Sequence, residues 1–433
     1  DCRDKSLLII PTFNTTQEIF QEITFAITQN SINNNHIIQI TDDAFSGLKV
    51  RKIDLSGNYL SQVTNNAFRG LENYLTDLTL EGNDVVPVPF NSLANLVNLK
   101  VLELEHFKQP NISSLPQDFP NLETLVLQTL QLTSLSSTAV SGKLRLLNRL
   151  EIKDNPNFTN FPTSTIRLLT NIEHVSFVQN GLTLFPTIGN AFASNTKFTE
   201  LDLSHNNIDT LQPGCFDSLA DKLKYLGLNI NNLDGSKLTP LAAANWTKLE
   251  TLNLDLNHFG ITGIPTNLFK NMPNLAYLNL QECGLTHIER NNFEGLSNLL
   301  YLHLSGPNNG ITQIDAGTFL NTPKLKELYM TSVGQSGNKL NFTANNAAGL
   351  ENLEVMDLTS SFIEPVQFWS ALSVMTGLKQ LTLYNNGLST IPNLAFQNNK
   401  KLEYLSIRSN GLTEVTQAQI HGLGSSFTTL DLQ

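Results

Sequence analysis

The sequence predicts an α/β solenoid, with a parallel β-sheet lining a concave face and irregular, short-helical or 3-10 segments returning along a convex face. Three observations predict it. A phrase with apolar residues two apart recurs every 23 to 28 residues, from Ile27 to Leu432. An asparagine follows three residues after many of these phrases, and a phenylalanine often follows some ten residues later. A chain of 433 residues built as conventional globules would suggest two or three domains, but a unit repeated this often shares one core between neighbours.

The phrase is clearest in "RKIDLSGNYLSQVTNNAFRGL", residues 51–71, and reads L-x-x-L-x-L-x-x-N-x-L. The second apolar residue of its L-x-L pair marks each turn: Ile27, Leu55, Leu80, Leu104, Leu127, Ile152, Phe177, Leu203, Leu228, Leu254, Leu280, Leu304, Met330, Leu358, Leu383, Ile407 and Leu432. A period of two is a strand period, so Ile53 and Leu55 point into the core while Lys52, Asp54 and Ser56 face solvent. One face of every strand is therefore core and the other is display.

The asparagine turns the chain out of the strand. Its amide carries donors and an acceptor, and stacked in register it can satisfy backbone groups of the neighbouring turn that burial would otherwise leave unpaired. Asn30, Asn58, Asn83, Asn155, Asn180, Asn206, Asn231, Asn257, Asn386 and Asn410 form this predicted ladder, and Cys283 stands on the same rung. Phe107 and Leu130 replace the asparagine in consecutive turns, which predicts a local change of curvature near residues 104–132. Phe45, Phe68, Phe192, Phe216, Phe269, Phe293, Phe319 and Phe396 share one later position and are expected to stack as an aromatic spine. Cys215 takes the small-residue place held elsewhere by Ala67 and Ala191, so both Cys215 and Cys283 read as buried packing thiols. The third cysteine, Cys2, has no partner of this kind and is expected to stay free or to pair outside this stretch of chain.

Residues 1–22 are expected to cap the start, and residues 23–433 to form about 16–17 turns. The final "SSFTTLDLQ" stops inside a repeat, leaving Leu430 and Leu432 uncovered, so the solenoid is expected to be truncated there and the natural chain to continue. At about 4.8 Å per strand the stack would be roughly 80 Å long.

The phrases "IDLSGNYLSQVTNNAFRGL" and "LDLSHNNIDTLQPGCFDSL" closely resemble leucine-rich repeats of animal extracellular proteins, such as Toll-like, Slit-like and chaoptin-like ectodomains. The resemblance covers residues 23–433 and implies a horseshoe-shaped leucine-rich repeat solenoid that is secreted or displayed at the cell surface. It also implies recognition of proteins, or occasionally of glycans and lipids, through the concave face or its edges. Cysteine is a familiar substitute on the asparagine rung of this family. The multi-cysteine N-terminal cap common in these relatives is missing; only Cys2 is present. N-glycosylation triplets at Asn14, Asn111, Asn157, Asn245 and Asn341 fit an extracellular glycoprotein.

A formal charge of −11 and a pI near 5.2 argue against nucleic acid as a partner. No run of 18 apolar residues is present, so membrane association is expected only through an anchor beyond residue 433. The opening Asp1, in place of Met, is expected from removal of a leader or from where a fragment begins. Phosphate loops, H-E-x-x-H, C-x-x-C and G-x-S-x-G motifs are all missing from the sequence, so no enzymatic activity, catalytic residue, metal site or cofactor is expected. His174 and Glu200 occupy equivalent outward positions on adjacent strands and are expected to meet as a surface ion pair.

The outward positions carry more information. Early turns present Asp54, Asp77, Glu81, Glu103 and Glu105, an acidic sector. Later turns present Tyr225, Tyr277, Tyr301, Tyr329, Tyr384 and Tyr404, six of only eight tyrosines in the chain. Tyrosine joins a large apolar face to a hydrogen-bonding tip at little entropic cost, which favours it in binding sites, although aromatic residues also suit any strand. The segments "NHFGITGIP", "SGPNNGITQI" and "TSVGQSGNKLNF" are longer than the standard turn and place Gly- and Asn-rich loops beside the tyrosines. The expected site therefore comprises the six tyrosines with the loops at Asn309 and Gly337, and the expected partner is a protein ligand or cell-surface protein. The alternative is a structural or matrix scaffold that self-associates.

Overall fold

A computed structural model describes residues 7–10, 20–24, 35–83, 88–107, 111–112, 115, 118–334 and 337–432. Cys2, Asn14, Ile27, Asn30 and most of the expected cap lie outside them. The chain divides into two compact units, Asp1–Leu184 with Ile188–Asn207, and Phe185–Thr187 with Ile208–Gln433.

In the first unit the strands Phe20–Thr24, Val50–Asp54, Asp77–Thr79, Val101–Glu105, Thr124–Gln128, Arg149–Lys153, His174–Ser176 and Glu200–Asp202 pair in parallel, each with the strand of the next turn. The register is one repeat to one repeat. Ile53, Leu78, Leu102, Leu125, Leu150, Val175 and Leu201 stand opposite one another and are all buried. The second unit repeats the arrangement through Tyr225–Gly227, Thr251–Asn253, Tyr277–Asn279, Tyr301–His303, Glu327–Tyr329, Val355–Asp357, Gln380–Thr382, Tyr404–Ser406 and Thr429–Asp431, all parallel. A slip of one residue would turn the leucines to solvent, so the buried column itself holds the register.

The return segments are short: α-helices such as Ser137–Val140, Thr163–Ile166, Ala344–Ala347 and Pro365–Leu372, and 3-10 turns such as Phe90–Leu93 and Thr318–Asn321. This is the expected α/β solenoid. Phe45 stacks on Phe68 at 5.6 Å and 5°, and Phe293 on Phe319 at 6.2 Å and 25°, as the aromatic spine predicts. Trp246 and Trp369 also enter it, against Phe216 at 5.1 Å and Phe396 at 5.9 Å. Their sequence positions differ from that of the recurring phenylalanine.

The asparagine ladder forms as expected. In five of its rungs, among others, the amide nitrogen donates to the carbonyl of the marker residue one turn earlier: Asn83 to Leu55, Asn155 to Leu127, Asn206 to Phe177, Asn257 to Leu228 and Asn410 to Leu383, at 2.7–3.2 Å. The Cys283 thiol fills the slot, donating to Leu254 O at 3.2 Å, and the Ser361 hydroxyl does the same toward Met330 O. Where Phe107 and Leu130 stand instead, both side chains are buried and the pairing of Val101–Glu105 with Thr124–Gln128 runs on to Glu105 opposite Gln128.

Two features of the turn lie outside the sequence reading. The residue two after each marker is left-handed in every described turn from Leu55 to Ile407. It is glycine at Gly57, Gly82 and Gly306, but Thr129, Ile230 and Leu256 also occupy it, with φ of 52°, 52° and 55°. In most of these turns its N–H meets a carbonyl of the next turn, as Ile230 N does Asp255 O at 2.8 Å and Leu256 N does Gln281 O at 2.8 Å, and that bond offsets the strain. A second amide ladder runs before the strands. Asn98, Asn121, Asn171, Asn274, Asn298 and Asn352 each donate to a carbonyl of the previous turn, at 2.6–3.1 Å.

Candidate functional site on the strand face

Five tyrosines of the expected site, Tyr225, Tyr277, Tyr301, Tyr329 and Tyr404, lie on strands, whereas Tyr384 lies in the turn two residues past the strand Gln380–Thr382. Tyr301 and Tyr384 are each 37% exposed, while Tyr225, Tyr277, Tyr329 and Tyr404 are half-buried among their neighbours. Three of them join one cluster within the second unit. Tyr277 lies opposite Tyr301 in the register, with ring centroids 6.4 Å apart. His303 lies 5.2 Å from Tyr277 and stacks on Tyr329 at 4.5 Å and 12°. His303 was missing from the sequence reading, although it holds on its strand the outward place that Tyr329 holds on the next. Burial among these rings holds the His303 imidazole below its ordinary range, with Glu327 opposing.

The cluster stands beside carboxylates. Glu327 is the register neighbour of Tyr301, and Asp357 that of Tyr329. The Tyr329 hydroxyl donates to Glu327 Oε2 at 2.6 Å, and burial together with that acceptor pushes the phenol up to about 12. Burial and Asp255 likewise raise the Tyr277 phenol. These tyrosines therefore act as neutral rings and hydrogen-bond donors, held still by packing worth about 0.5–1.5 kcal/mol per aromatic pair.

The loop residues separate. Gly337 is exposed. Asn309 corrects the expectation: it is fully buried, and it is a ladder rung. Its Oδ1 accepts from Cys283 N at 2.8 Å and Leu285 N at 3.0 Å, and its Nδ2 donates to Leu280 O at 2.8 Å. The longer loop "SGPNNG" shifts the rung from three to five residues past Leu304, which hid it from a fixed-offset reading. The buried side chain is committed to the backbone and is unavailable to a partner.

In the first unit, His174 Nδ1 meets Glu200 Oε2 at 2.6 Å, as expected. The pair extends into an ion network, with Glu151 held by Arg149 and Lys153. In the acidic sector Thr79 donates to Glu103 at 3.0 Å, and Glu105 is pushed up to about 7 by burial and then by Glu81, Asp154 and Glu103. Cys215 and Cys283 are buried, and burial raises both thiols to about 12, which fits packing and not reactivity. The described glycosylation triplets begin at Asn111, Asn157, Asn245 and Asn341, all exposed and none at an outward position of the strand face.

Comparison with known proteins follows the same geometry. A leucine rich repeat family model matches residues 31–85, 247–308 and 376–433, and a second matches residues 197–219. The chain carries leucine-rich repeats. Similar leucine-rich repeat relatives include lumican of Bos taurus, 26% identical over 45% of this chain and 55% of lumican. Podocan of Mus musculus is 27% identical over 45% of this chain and 30% of podocan, and Toll-like receptor 8 of Homo sapiens 27% identical over 61% of this chain and 25% of the receptor. The chain thus spans about half the length of lumican and less of the others. These relatives are extracellular, cell-surface or endosomal proteins. Among solved structures, a TLR13–ssRNA13 complex matches with a TM-score of 0.66 and 23% identity, over 92% of this chain and 52% of that one. A Leptospira interrogans leucine-rich repeat protein matches with a TM-score of 0.60 and 24% identity, over 88% of this chain and 95% of that one. Both establish the leucine-rich repeat fold. No described helix is long and apolar enough to cross a membrane.

Proposed function

We propose that this leucine-rich repeat protein is an extracellular recognition module, a receptor ectodomain or adhesion protein, that binds a protein partner through the strand face of its later turns. The observation that carries the reading is the cluster of Tyr277, Tyr301, His303 and Tyr329 on adjacent outward positions. Rigid aromatic side chains that keep a polar tip are the groups that dominate protein interfaces. The exposed triplets of the same unit, at Asn245 and Asn341, support it, because neither asparagine stands at an outward strand position. The role is binding and not catalysis. A protein is favoured over nucleic acid because Asp255, Glu327 and Asp357 lie on the same face of an acidic chain.

The test is a binding screen of the purified chain against individually expressed extracellular domains, with single-stranded RNA as a competitor. A domain that binds about 10- to 100-fold more weakly to Tyr277→Ala and Tyr301→Ala, at unchanged melting temperature, supports the reading. Domains that bind these variants as well as the unaltered chain, or that RNA displaces, move recognition off this face. A second reading, a self-associating scaffold, draws on the similarity to small proteoglycans as well as to Toll-like receptors. Mass measurement and non-reducing electrophoresis separate the two: a disulfide-linked ladder favours assembly, and a monodisperse monomer favours recognition.

A further inference from the structure

We propose that the strand face from Thr251 to Asp357 docks an extended, arginine-bearing segment of its protein partner. The inference rests on the reading that this face recognises a protein, and it adds the chemistry of what is recognised.

The register makes the same pair twice. Tyr301 stands opposite Glu327, and one strand further Tyr329 stands opposite Asp357. Each pair offers an aromatic ring beside a carboxylate. The Tyr329 hydroxyl fixes the Glu327 carboxylate through its bond at 2.6 Å, and Tyr301 is the more open ring at 37% exposure. A planar guanidinium fits such a pair: its face stacks on the ring while its N–H fork meets the carboxylate. A lysine ammonium, compact and strongly hydrated, gains less from the ring face.

The charge around the pairs is one-sided. Outward positions of these strands carry Asp255, Glu327 and Asp357, and no lysine or arginine. Lys326, adjacent to Glu327, and Lys379 both pair with Glu354, whose carboxyl they draw down to about 2, while Lys324 donates to Asn298 and Lys339 pairs with Glu364. The local field therefore attracts cations and opposes phosphates.

The spacing names a pattern. Parallel strands about 4.8 Å apart, with an offset of two residues along the chain, put the two pairs roughly 8 Å apart. Side chains two apart on one face of an extended peptide are about 7 Å apart, so the partner segment is of the form Arg-x-Arg.

The experiment uses the whole chain and a labelled Ser-Gly-Arg-Gly-Arg-Gly-Ser peptide, followed by fluorescence anisotropy. The expected result is saturable binding that weakens several-fold between 50 and 300 mM salt, and at least tenfold when citrulline replaces both arginines or when the chain carries Glu327→Gln with Asp357→Asn. Glu81→Gln with Glu103→Gln, in the other acidic sector, is expected to leave binding unchanged. Absence of binding, equal binding of the citrulline peptide, or loss only in the Glu81 and Glu103 variant overturns the proposal. The two readings fail separately. A partner domain that depends on Tyr277 and Tyr301 but ignores Glu327→Gln with Asp357→Asn removes the arginine segment and leaves protein recognition standing. Conversely, arginine-peptide binding that holds while every partner domain ignores the tyrosines removes the recognition reading.

Discussion

The imidazole of His303 lies 4.5 Å from the ring of Tyr329 and within 12° of parallel. The stack holds two strands of the candidate site in one geometry, and it sets the first prediction. Burial depresses His303 in the folded chain, with Glu327 acting weakly the other way. The unfolded chain therefore takes up the proton first as pH falls. Stability from this contact is fully present above about pH 6.5 and is lost as pH falls below it toward the folded value. Urea denaturation at pH 7.5 and 5.5 is expected to show a larger loss for the unaltered chain than for His303→Gln.

Glu105 has the opposite sign. Its folded carboxyl is pushed up to about 7 from 4.5 by burial and by Glu81, so the folded chain holds the proton longer. Its cost is absent below about pH 4.5 and grows as pH rises to about 7. Glu105→Gln is expected to stabilise the chain at pH 8 by about 1–2 kcal/mol, after allowance for solvent screening, and to be neutral at pH 4. Thermal melts of both forms across this range check the slope.

The two amide ladders are not equivalent. Asn309→Ala leaves the amides of Cys283 and Leu285 and the carbonyl of Leu280 without this side chain in a dry interior, so a loss of about 2–4 kcal/mol is expected. Asn98 makes one such bond, to Glu72 O, at a half-buried site, and Asn98→Ala is expected to cost less than about 1 kcal/mol. Equal losses in urea titrations would show that burial is not what separates the ladders.

Leu256 offers two substitutions of opposite effect at one position. It is left-handed at φ 55° and 40% exposed, so little packing is at stake. Leu256→Asn is expected to stabilise by about 0.5–1 kcal/mol, because asparagine tolerates this conformation, while the β-branched Leu256→Val is expected to destabilise by about 1 kcal/mol. Melting temperatures moving in the same direction for both would locate the effect in packing instead.

Much of the fold was legible in the residues because a repeat writes its core as a period. The leucine positions, the asparagine rung, the phenylalanine spine and the burial of Cys215 and Cys283 all follow from spacing, since identical turns must bury identical side chains against one another. The pairing of His174 with Glu200 followed in the same way, from equivalent places on neighbouring strands. Where a loop changed length, spacing failed: Asn309 read as a surface residue, although it reaches back into the ladder. The left-handed residue two after each marker left no compositional trace, because the next turn's carbonyl holds Ile230 and Leu256 there as firmly as it does Gly57.

By itself the sequence determined that the chain is a leucine-rich repeat solenoid and which side of each strand is buried, both local consequences of period two within a longer period. Only the tertiary structure decided that Tyr277, Tyr301 and Tyr329 join His303 in one cluster, and that Glu327 and Asp357 stand beside two of those rings. Those contacts are made between turns, across 24 to 28 residues of chain, and depend on which outward side chains the strand register brings face to face.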